Sequence, residues 1–384
     1  MKTRNCLAWG MLLPAMCLLI LGVPAVAQYG PTITTIDAPG AGAIYGYGTE
    51  VIAINPAGVI TGYYVGYDNI VHAYVRTPYG KFTTFDGPGV PSHVPTDPIS
   101  PPVPWVNTSA PGTYSIAIDA DGAVTGYYMD ANIVAHGYVR APDGKFTPID
   151  VPGAGSVPGQ GQGTYSANMN LEGTIAGTYV DANNGSHGFV RAVDGAIKKF
   201  DVPGAAGSTW LNWAQCIGTS GAIAGTYADS AGVSHGFLRD PDGKITTFEV
   251  AATGLTAGQG TNAFGINAAG TIEGAFVDAN NVYHGLVRTA DGKIAVFDAP
   301  GAPFGHNTIP EAINSKGTVA GLYSDANFVF HGFLRSAGGG FTSFEVPGAG
   351  SQFKQGTFPM FNTDESAVGF WIDNNYVQHG FVLR

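Results

Sequence analysis

One short segment recurs seven times along the chain, and this repetition constrains the fold more than any other feature of the sequence. Typical copies read VDANNGSHGFVR and SDANFVFHGFLR, and each copy carries one histidine. The histidines are His72, His136, His187, His235, His284, His331 and His379. After a longer first interval, successive histidines lie 47 to 51 residues apart. A constant period of this length is typical of solenoids and propellers.

Each repeat divides into four short strands, called a to d here. Strand a ends in Ile-Asn, strand b reads T-I-A-G-T-Y, strand c reads H-G-F-V-R and strand d reads I-T-T-F-D. The connections N-x-x-G, D-A-N-N and D-G-K contain Asn, Asp and Gly, which tolerate the positive φ of tight hairpins. No segment keeps a 3.6-residue apolar period. The pattern therefore predicts an all-β protein built from antiparallel units of the size of one propeller blade.

The two ends of the repeat array favour a closed ring. The array begins with an isolated strand d in residues 32–40 and ends after strand c, at HGFVLR. Seven strand d motifs match seven strand c motifs only if the first strand completes the last unit, which also hides two sheet edges. The sequence thus predicts a seven-bladed β-propeller of four-stranded antiparallel blades, closed by the N-terminal strand, over residues 28–384. An open solenoid is the alternative.

The histidine tripeptides support a family resemblance. His72-Ala73-Tyr74 and His187-Gly188-Phe189 follow G-x-[VI]-x-G strands, and this pattern resembles the extracellular HAF-repeat proteins of bacteria. The resemblance covers essentially the whole repeat region, although this chain prefers HGF to HAF. It implies an exported repeat protein and no catalytic residue, since the family has no established activity.

The first 27 residues have the features of a removable secretory signal. Lys2 and Arg4 precede the apolar run MLLPAMCLLILGV, and Ala25-Val26-Ala27 forms a small-x-small cleavage site. We therefore expect a secreted protein, either extracellular or periplasmic, that lacks a membrane span. Acidic residues outnumber basic ones, 28 to 17, which disfavours nucleic acid and anionic membranes as partners.

The repeated polar residues are expected to stabilise the fold. Six histidines follow an Asp by six positions, which predicts a hydrogen bond across the b–c hairpin; a His/Asp metal site is the alternative. The arginine four residues after each of the first six histidines is expected to pair with a strand d carboxylate. The D-A-N-N segments are expected to be turns, with weak calcium binding as the alternative. Cys216 is the one cysteine after the signal segment. It is expected to be a small, inert core residue, and no cofactor is predicted.

The loops between strand d and the next strand a differ among the repeats, and function is expected there. The longest is a Pro-rich insertion at residues 87–112. The candidate ligand-binding residues are Tyr45, Trp105, Trp210, Trp213, Phe304, His306 and Lys354. We expect a monomeric binding or scaffold module that engages a glycan, peptide or surface protein through an aromatic, acidic face. The alternative is a propeller enzyme of lactonase or lyase type, with candidates His93, Asp97, His306 and Glu311; the sequence favours binding and leaves catalysis open.

Overall fold

A computed structural model describes residues 32–92, 110–211 and 215–384. These residues form 28 β-strands and no helix, as the repeat pattern predicts for an all-β chain. The part of the chain that the structure describes has no helix of the length and hydrophobicity needed to cross a bilayer.

Antiparallel pairing groups the strands in fours, and each group is called a unit, with strands a to d in chain order except in unit 7, whose strand d is β1. Unit 1 is β2 (Gly48–Ile54), β3 (Ile60–Val65), β4 (Val71–Arg76) and β5 (Phe82–Phe85); unit 2 is β6 (Gly112–Ile118), β7 (Val124–Met129), β8 (Ala135–Arg140) and β9 (Phe146–Ile149). Unit 3 is β10 (Gly163–Met169), β11 (Ile175–Val180), β12 (Ser186–Arg191) and β13 (Ile197–Phe200); unit 4 is β14 (Thr209–Trp210), β15 (Ile223–Ala228), β16 (Ser234–Arg239) and β17 (Ile245–Phe248). Unit 5 is β18 (Gly260–Ile266), β19 (Ile272–Val277), β20 (Tyr283–Arg288) and β21 (Ile294–Phe297); unit 6 is β22 (Thr308–Ile313), β23 (Val319–Ser324), β24 (Phe330–Arg335) and β25 (Phe341–Phe344). Unit 7 is β26 (Gly356–Asn362), β27 (Ala367–Ile372), β28 (Gln378–Leu383) and β1 (Ile33–Ile36).

The first strand pairs with the last, as the sequence predicts. Strand β1 is antiparallel to β28, with Ile33 opposite Leu383 and Ile36 opposite Gly380. The pairing extends to a hydrogen bond of 2.8 Å from the Thr32 amide to the carbonyl of Arg384. Both chain ends of the repeat array are therefore hydrogen-bonded inside one sheet.

Neighbouring units meet where strand c approaches the next strand a in parallel. The paired residues are Val71 and Gly112, Ala135 and Gly163, Ser186 and Ser208, Ser234 and Gly260, Phe330 and Gly356, and Gln378 and Gly48. Glycine is required at Gly48, because a Cβ there would lie 2.0 Å from the Gln378 carbonyl oxygen and φ is 132°. This contact links unit 7 to unit 1 in the same way as it links the other pairs of units named above.

The core lies between the units. The inward side chain of strand c is completely buried in every unit, at Tyr74, Tyr138, Phe189, Phe237, Leu286, Phe333 and Phe381. Four of these rings meet strand d of the preceding unit edge to face, for example Phe333 against Phe297 with centroids 6.3 Å apart. Such contacts bury large aromatic surfaces and fix the spacing of successive sheets.

A buried threonine near the start of strand a anchors the connection that enters each unit. Thr49 Oγ1 accepts a hydrogen bond of 2.9 Å from the Ala38 amide, and Thr113, Thr164, Thr261, Thr308 and Thr357 repeat this contact. The repeated G-T dipeptide carries this signal in the sequence, which the sequence analysis missed. In unit 4 the equivalent Thr209 Oγ1 is buried without a partner among the described residues.

The two ends of the strands form two different faces. Since the strands alternate in direction, the b–c and d–a connections share one end, called the loop face, and the a–b and c–d turns share the other, called the turn face. On the turn face, Asn314 donates from Nδ2 to the Thr363 carbonyl of the next unit at 3.0 Å. Gln215 also lies at this end, accepting from the Ile266 amide on its carbonyl and from the Ile313 amide on Oε1, both at 3.0 Å. Hydrogen bonds therefore connect the ends of strand a in different units at the turn face.

Candidate functional site

Every repeated histidine contacts two carboxylates and a stacked aromatic ring, and each such group is called a histidine cluster. His136 Nδ1 is 2.8 Å from Asp150 of strand d, and His136 Nε2 is 3.9 Å from Asp130 of the b–c loop. Tyr128 of strand b stacks on the imidazole with centroids 4.9 Å apart. The strand d partners of the seven histidines are Asp86, Asp150, Asp201, Glu249, Asp298, Glu345 and Asp37. The predicted Asp across the hairpin is therefore the more distant partner in most units, and the strand d carboxylate is the close one.

In three of the histidine clusters the carboxylate partners stabilise the protonated imidazole. Hydrogen bonding to Asp150 raises the pKa of His136 despite partial burial, and the corresponding carboxylates also raise the pKa of His72 and His331. The two carboxylates bind opposite ring nitrogens and do not converge on one point. Within the described ranges, no group of three His, Cys, Asp or Glu residues is arranged to hold a metal ion. The cluster is best explained as a repeated structural element.

The b–c loop aspartates are occupied by their own loops. Asp130 Oδ1 accepts from the amides of Asn132 and Val134, both at 2.9 Å, and the five other copies that carry this Asp repeat the turn. These contacts account for the D-A-N-N segments as turns, as predicted.

The prediction for the repeated arginines was wrong. Arg140 does not pair with a strand d carboxylate; its guanidinium lies 4.6 Å from the ring centroid of Phe85 of the preceding unit. Arg239, Arg288 and Arg335 make the same contact with Phe200, Phe248 and Phe297. The strand d carboxylate bonds to the histidine instead. The arginine makes a cation–π contact with a ring of the preceding unit.

The main departure from the repeat lies in unit 4 and opens a cavity. The segment from Ser208 to Ile217 is three residues longer than its counterpart Gly48–Ile54, and β14 retains only two residues. Thr209 and Trp210 pair with strand b in the register of the other units, but the pairing stops after Trp210, and the Leu211 amide bonds to Thr178 Oγ1 of unit 3 at 3.1 Å. A cavity of about 520 Å³ lies beside this break, between units 3, 4 and 5.

This space, called the Trp210 cavity, combines an exposed indole with neutral polar groups. Its described lining residues are Gly161, Tyr165, Ala167, Thr178, Val180, Ser208, Trp210, Leu211, Thr226, Ala228, Ser234, Asn262 and Phe264. Trp210 is 50% exposed, and its Nε1 donates to Ser208 Oγ at 2.8 Å, which fixes the ring. Burial raises the pKa of Tyr165 to about 12, so this phenol is neutral at physiological pH. None of the described lining residues carries a charge.

A second group of candidates meets on the loop face of units 6 and 7, about 100 residues further along the chain. Phe328 lies between His306 and Phe353, with centroids at 4.7 and 5.8 Å. Tyr376 donates to the Phe353 carbonyl at 3.0 Å and packs against Tyr45 with centroids at 4.8 Å. We call these five residues the aromatic ridge. Lys354 adjoins it, with Nζ 5.4 Å from the Phe353 centroid.

The structure thus divides the predicted binding residues instead of assembling them into one site. Trp210 belongs to the Trp210 cavity and lies in strand β14, not in a loop; Tyr45, His306 and Lys354 belong to or adjoin the aromatic ridge. Phe304 is fully exposed, and among the described residues no ring packs on it. Trp105, Trp213, His93 and Asp97 lie outside the described residues. Phe328 and Tyr376, which sequence reasoning missed, replace the usual Asn at one loop position.

Three acidic side chains in strands a and b are buried, and their pKa values are raised above the usual range of a carboxyl group. Burial raises the pKa of Glu50 to about 7, and Tyr63 donates to it at 2.7 Å. Burial also raises the pKa of Glu311 to about 8, and it raises the pKa of Glu273 well above its usual range, with repulsion from Glu311 adding to the effect. Glu273 is fully buried in strand b. These groups affect stability and are absent from the lining of the Trp210 cavity.

Cys216 has the environment predicted for an inert residue. It is fully buried in a cluster with Ile217, Ile223 and Phe237, and burial raises the pKa of its thiol. A thiolate is therefore not available at neutral pH.

Comparison with known proteins defines the class of the fold. No family model and no curated protein sequence matches the chain. Among solved structures, a catalytically inactive virginiamycin B lyase from Staphylococcus aureus with quinupristin is 15% identical, with a TM-score of 0.55; the match covers 92% of this chain and 100% of that one. A streptogramin B lyase is 14% identical (TM-score 0.53, covering 92% and 98%), and the BP39L lectin from Burkholderia pseudomallei is 9% identical (TM-score 0.52, covering 87% and 94%).

These neighbours are β-propeller-like proteins of enzyme and lectin types. At such low identity the likeness shows the fold alone. The chain is therefore an all-β protein with a β-propeller fold.

Proposed function

We propose that this protein is an exported seven-bladed β-propeller that binds a neutral carbohydrate through the Trp210 cavity. In this proposal the seven units are the blades, β1 completes the last blade, and the contact of Gln378 with Gly48 closes the ring. Export rests on the leader pattern of residues 1–27, and it agrees with the resemblance to extracellular HAF-repeat proteins.

The observation that carries the proposal is the composition of the Trp210 cavity. A sugar ring presents apolar C–H faces and hydroxyl edges. The exposed indole of Trp210 suits the face, and the side chains of Ser234 and Asn262 offer donors and acceptors for the edge. The described lining residues are uncharged and offer no ionic partner to a charged ligand. The cavity therefore suits a neutral ligand.

The same composition favours binding over catalysis. A lyase or hydrolase needs an acid or base within reach of the reacting atoms. The described lining residues include no His, Asp, Glu, Lys or Cys. His306, a candidate for the enzyme alternative, lies in the aromatic ridge and not in the cavity. The lectin among the structural neighbours is consistent with a carbohydrate ligand.

A glycan array followed by calorimetric titration tests the proposal on the mature chain, residues 28–384. We expect Trp210→Ala to lower the affinity for a bound oligosaccharide by about tenfold or more, since it removes a large stacking surface. Tyr79→Ala is the matched control, because Tyr79 is 99% exposed in a turn-face connection, and it should bind like wild type. Equal binding by Trp210→Ala and wild type, or no binding of wild type to any neutral glycan, would contradict the proposal.

A further inference from the structure

The aromatic ridge contains two residues in a backbone conformation that aromatic side chains rarely adopt. In each b–c loop, one position has positive φ, and four units place Asn or Gly there: Asn69, Asn184, Gly232 and Asn281. Units 6 and 7 instead place Phe328 (φ 58°) and Tyr376 (φ 62°) at this position. Asn and Gly tolerate this region, whereas a bulky ring is strained in it.

One of the strained aromatics, Phe328, also lies where water reaches it. Phe328 is 44% exposed and its neighbour Phe353 is 54% exposed. An exposed ring in a strained conformation gains little for the fold, so its presence points to a role in function. Two adjacent units share the positive φ at an aromatic residue, and both rings join the same ridge.

We propose that the aromatic ridge is a second binding surface, which contacts an extended neutral polysaccharide. It crosses three successive d–a connections and two b–c loops, from His306 through Phe328 and Phe353 to Tyr376 and Tyr45. Two groups of rings, joined by the hydrogen bond from Tyr376 to the Phe353 carbonyl, offer several stacking positions to the sugar residues of one chain. The Trp210 cavity, by contrast, suits a short saccharide or a chain end.

Neighbouring polar groups favour a carbohydrate over a peptide. The b–c loops beside the rings expose Asn327, Asn374 and Asn375, whose amides can pair with sugar hydroxyls. The aspartates of the same loops, Asp325 and Asp373, add negative charge, which disfavours a polyanionic chain. A proline-rich peptide would also stack on aromatic rings, and the experiment below separates the two ligand classes.

The test uses affinity electrophoresis of the mature chain in native gels containing glucomannan, mixed-linkage β-glucan or laminarin. Alginate serves as the anionic comparison. The decisive variant is the double substitution Phe328→Asn plus Tyr376→Asn, which restores the residue that other units carry at this position. We expect wild type to be retarded by at least one neutral polymer and not by alginate. The double variant should show about tenfold weaker retardation.

Ile133→Asn is the matched control, because Ile133 occupies the same loop position at φ 60° in unit 2, away from the ridge. Both changes relieve the same kind of strain, so the melting temperature of each variant should equal or exceed that of wild type. Retardation should fall only in the ridge variant. Loss of binding without loss of stability excludes a merely structural role for the two rings.

The proposal is overturned if no neutral polymer retards wild type, if the double variant is retarded like wild type, or if Ile133→Asn weakens retardation equally. Specific binding of poly-L-proline in place of the polysaccharides would also overturn it, in favour of a peptide surface. The inference rests on the proposed function only for the ligand class. The two can fail separately, because the cavity is tested with Trp210→Ala on oligosaccharides and the ridge with its own variants on polymers.

Discussion

The histidine clusters and the loop face occupy the same ends of the same units, yet they behave in opposite ways. The clusters are nearly identical in all seven units: a stacked aromatic ring, a histidine and a strand d carboxylate. The loop face varies, with a cavity where unit 4 departs from the repeat and a row of rings in units 6 and 7. We propose that the repeated residues stabilise every unit, whereas the residues that differ between units bind a ligand. The predictions below test this division.

The largest expected effect concerns the repeated core. Phe333→Ala empties a fully buried position between two sheets, and it should lower the free energy of unfolding by ~3–5 kcal/mol. Urea unfolding followed by circular dichroism measures this change. Phe353→Ala, on the ridge, is the matched comparison and should change stability by less than ~0.5 kcal/mol. Equal losses in both variants would remove the distinction between repeated and divergent aromatics.

Glu273 tests the contribution of the buried carboxylates. Its pKa is raised by burial, so the unfolded chain ionises above pH ~4.3 while the folded chain resists ionisation. Glu273→Gln should therefore stabilise the protein by ~1–3 kcal/mol at pH 8 and change little at pH 4. A variant that is less stable than wild type at pH 8 would contradict this.

The melting temperature should fall as pH rises from mildly acidic to alkaline. The folded-state pKa values of His72, His136 and His331 are raised by their carboxylate partners. Their contribution is complete below the unfolded pKa of ~6.5 and is lost as pH rises through the folded values. Glu50 and Glu311 also lower stability as the pH rises, because their folded-state pKa values are about 7 and about 8. Differential scanning calorimetry between pH 5.5 and 9 should show a decline of several degrees; a rise would contradict the assignment.

Below about pH 4 the melting temperature should change in the opposite direction, falling as the pH falls. The pKa values of Asp181, Asp229, Asp278 and Asp325 are lowered in the folded state, chiefly by loop amides that bond to their carboxylates. Their contribution is present above the unfolded pKa of ~3.9 and is lost as pH falls through the folded values. Stability should therefore be greatest at mildly acidic pH, and the calorimetric series extended below pH 4 should show a second decline.

The smallest effect concerns the bonds between turns of adjacent units. Asn314→Ala removes the bond to the Thr363 carbonyl and the caps on the Lys316 and Thr318 amides, with an expected cost of ~1–2 kcal/mol. Asn183→Ala, at an exposed loop-face position, should cost less than ~0.5 kcal/mol. Identical unfolding curves for the two variants would show that the turn-face asparagines do not link the units.

Much of the fold was predictable because the repeat reports the same local physics seven times. Strand and turn assignments agree with the structure, and so does the pairing of β1 with β28, since the ends of the array allow few alternatives. The side-chain partners of individual residues were harder to predict from the sequence. Histidine and arginine both precede a strand d carboxylate in the sequence, and only the strand register of Arg140 and His136 decides which one reaches it.

The binding surfaces were predicted only by composition. Trp210 was selected as an unrepeated aromatic, but the cavity lies where the pairing of strand a in unit 4 stops after Trp210, which residue types alone do not reveal. Phe328 and Tyr376 were visible as departures from the Asn of the D-A-N-N loop. The functional interest of these two residues depends on the positive φ at that position. The sequence indicates this φ only indirectly, through the Asn and Gly residues at the same position of other repeats.

Hydrogen exchange with mass spectrometry on the mature chain, with and without a bound neutral oligosaccharide, tests the central claim most directly. The division of labour predicts slower exchange in the segments that line the Trp210 cavity, around Trp210 and Asn262. It predicts unchanged exchange in the turn-face connections around Tyr79 and Asn314. Protection spread evenly over all seven repeats, or centred on the turn face, would contradict the claim that ligand binding belongs to the places where the repeats differ.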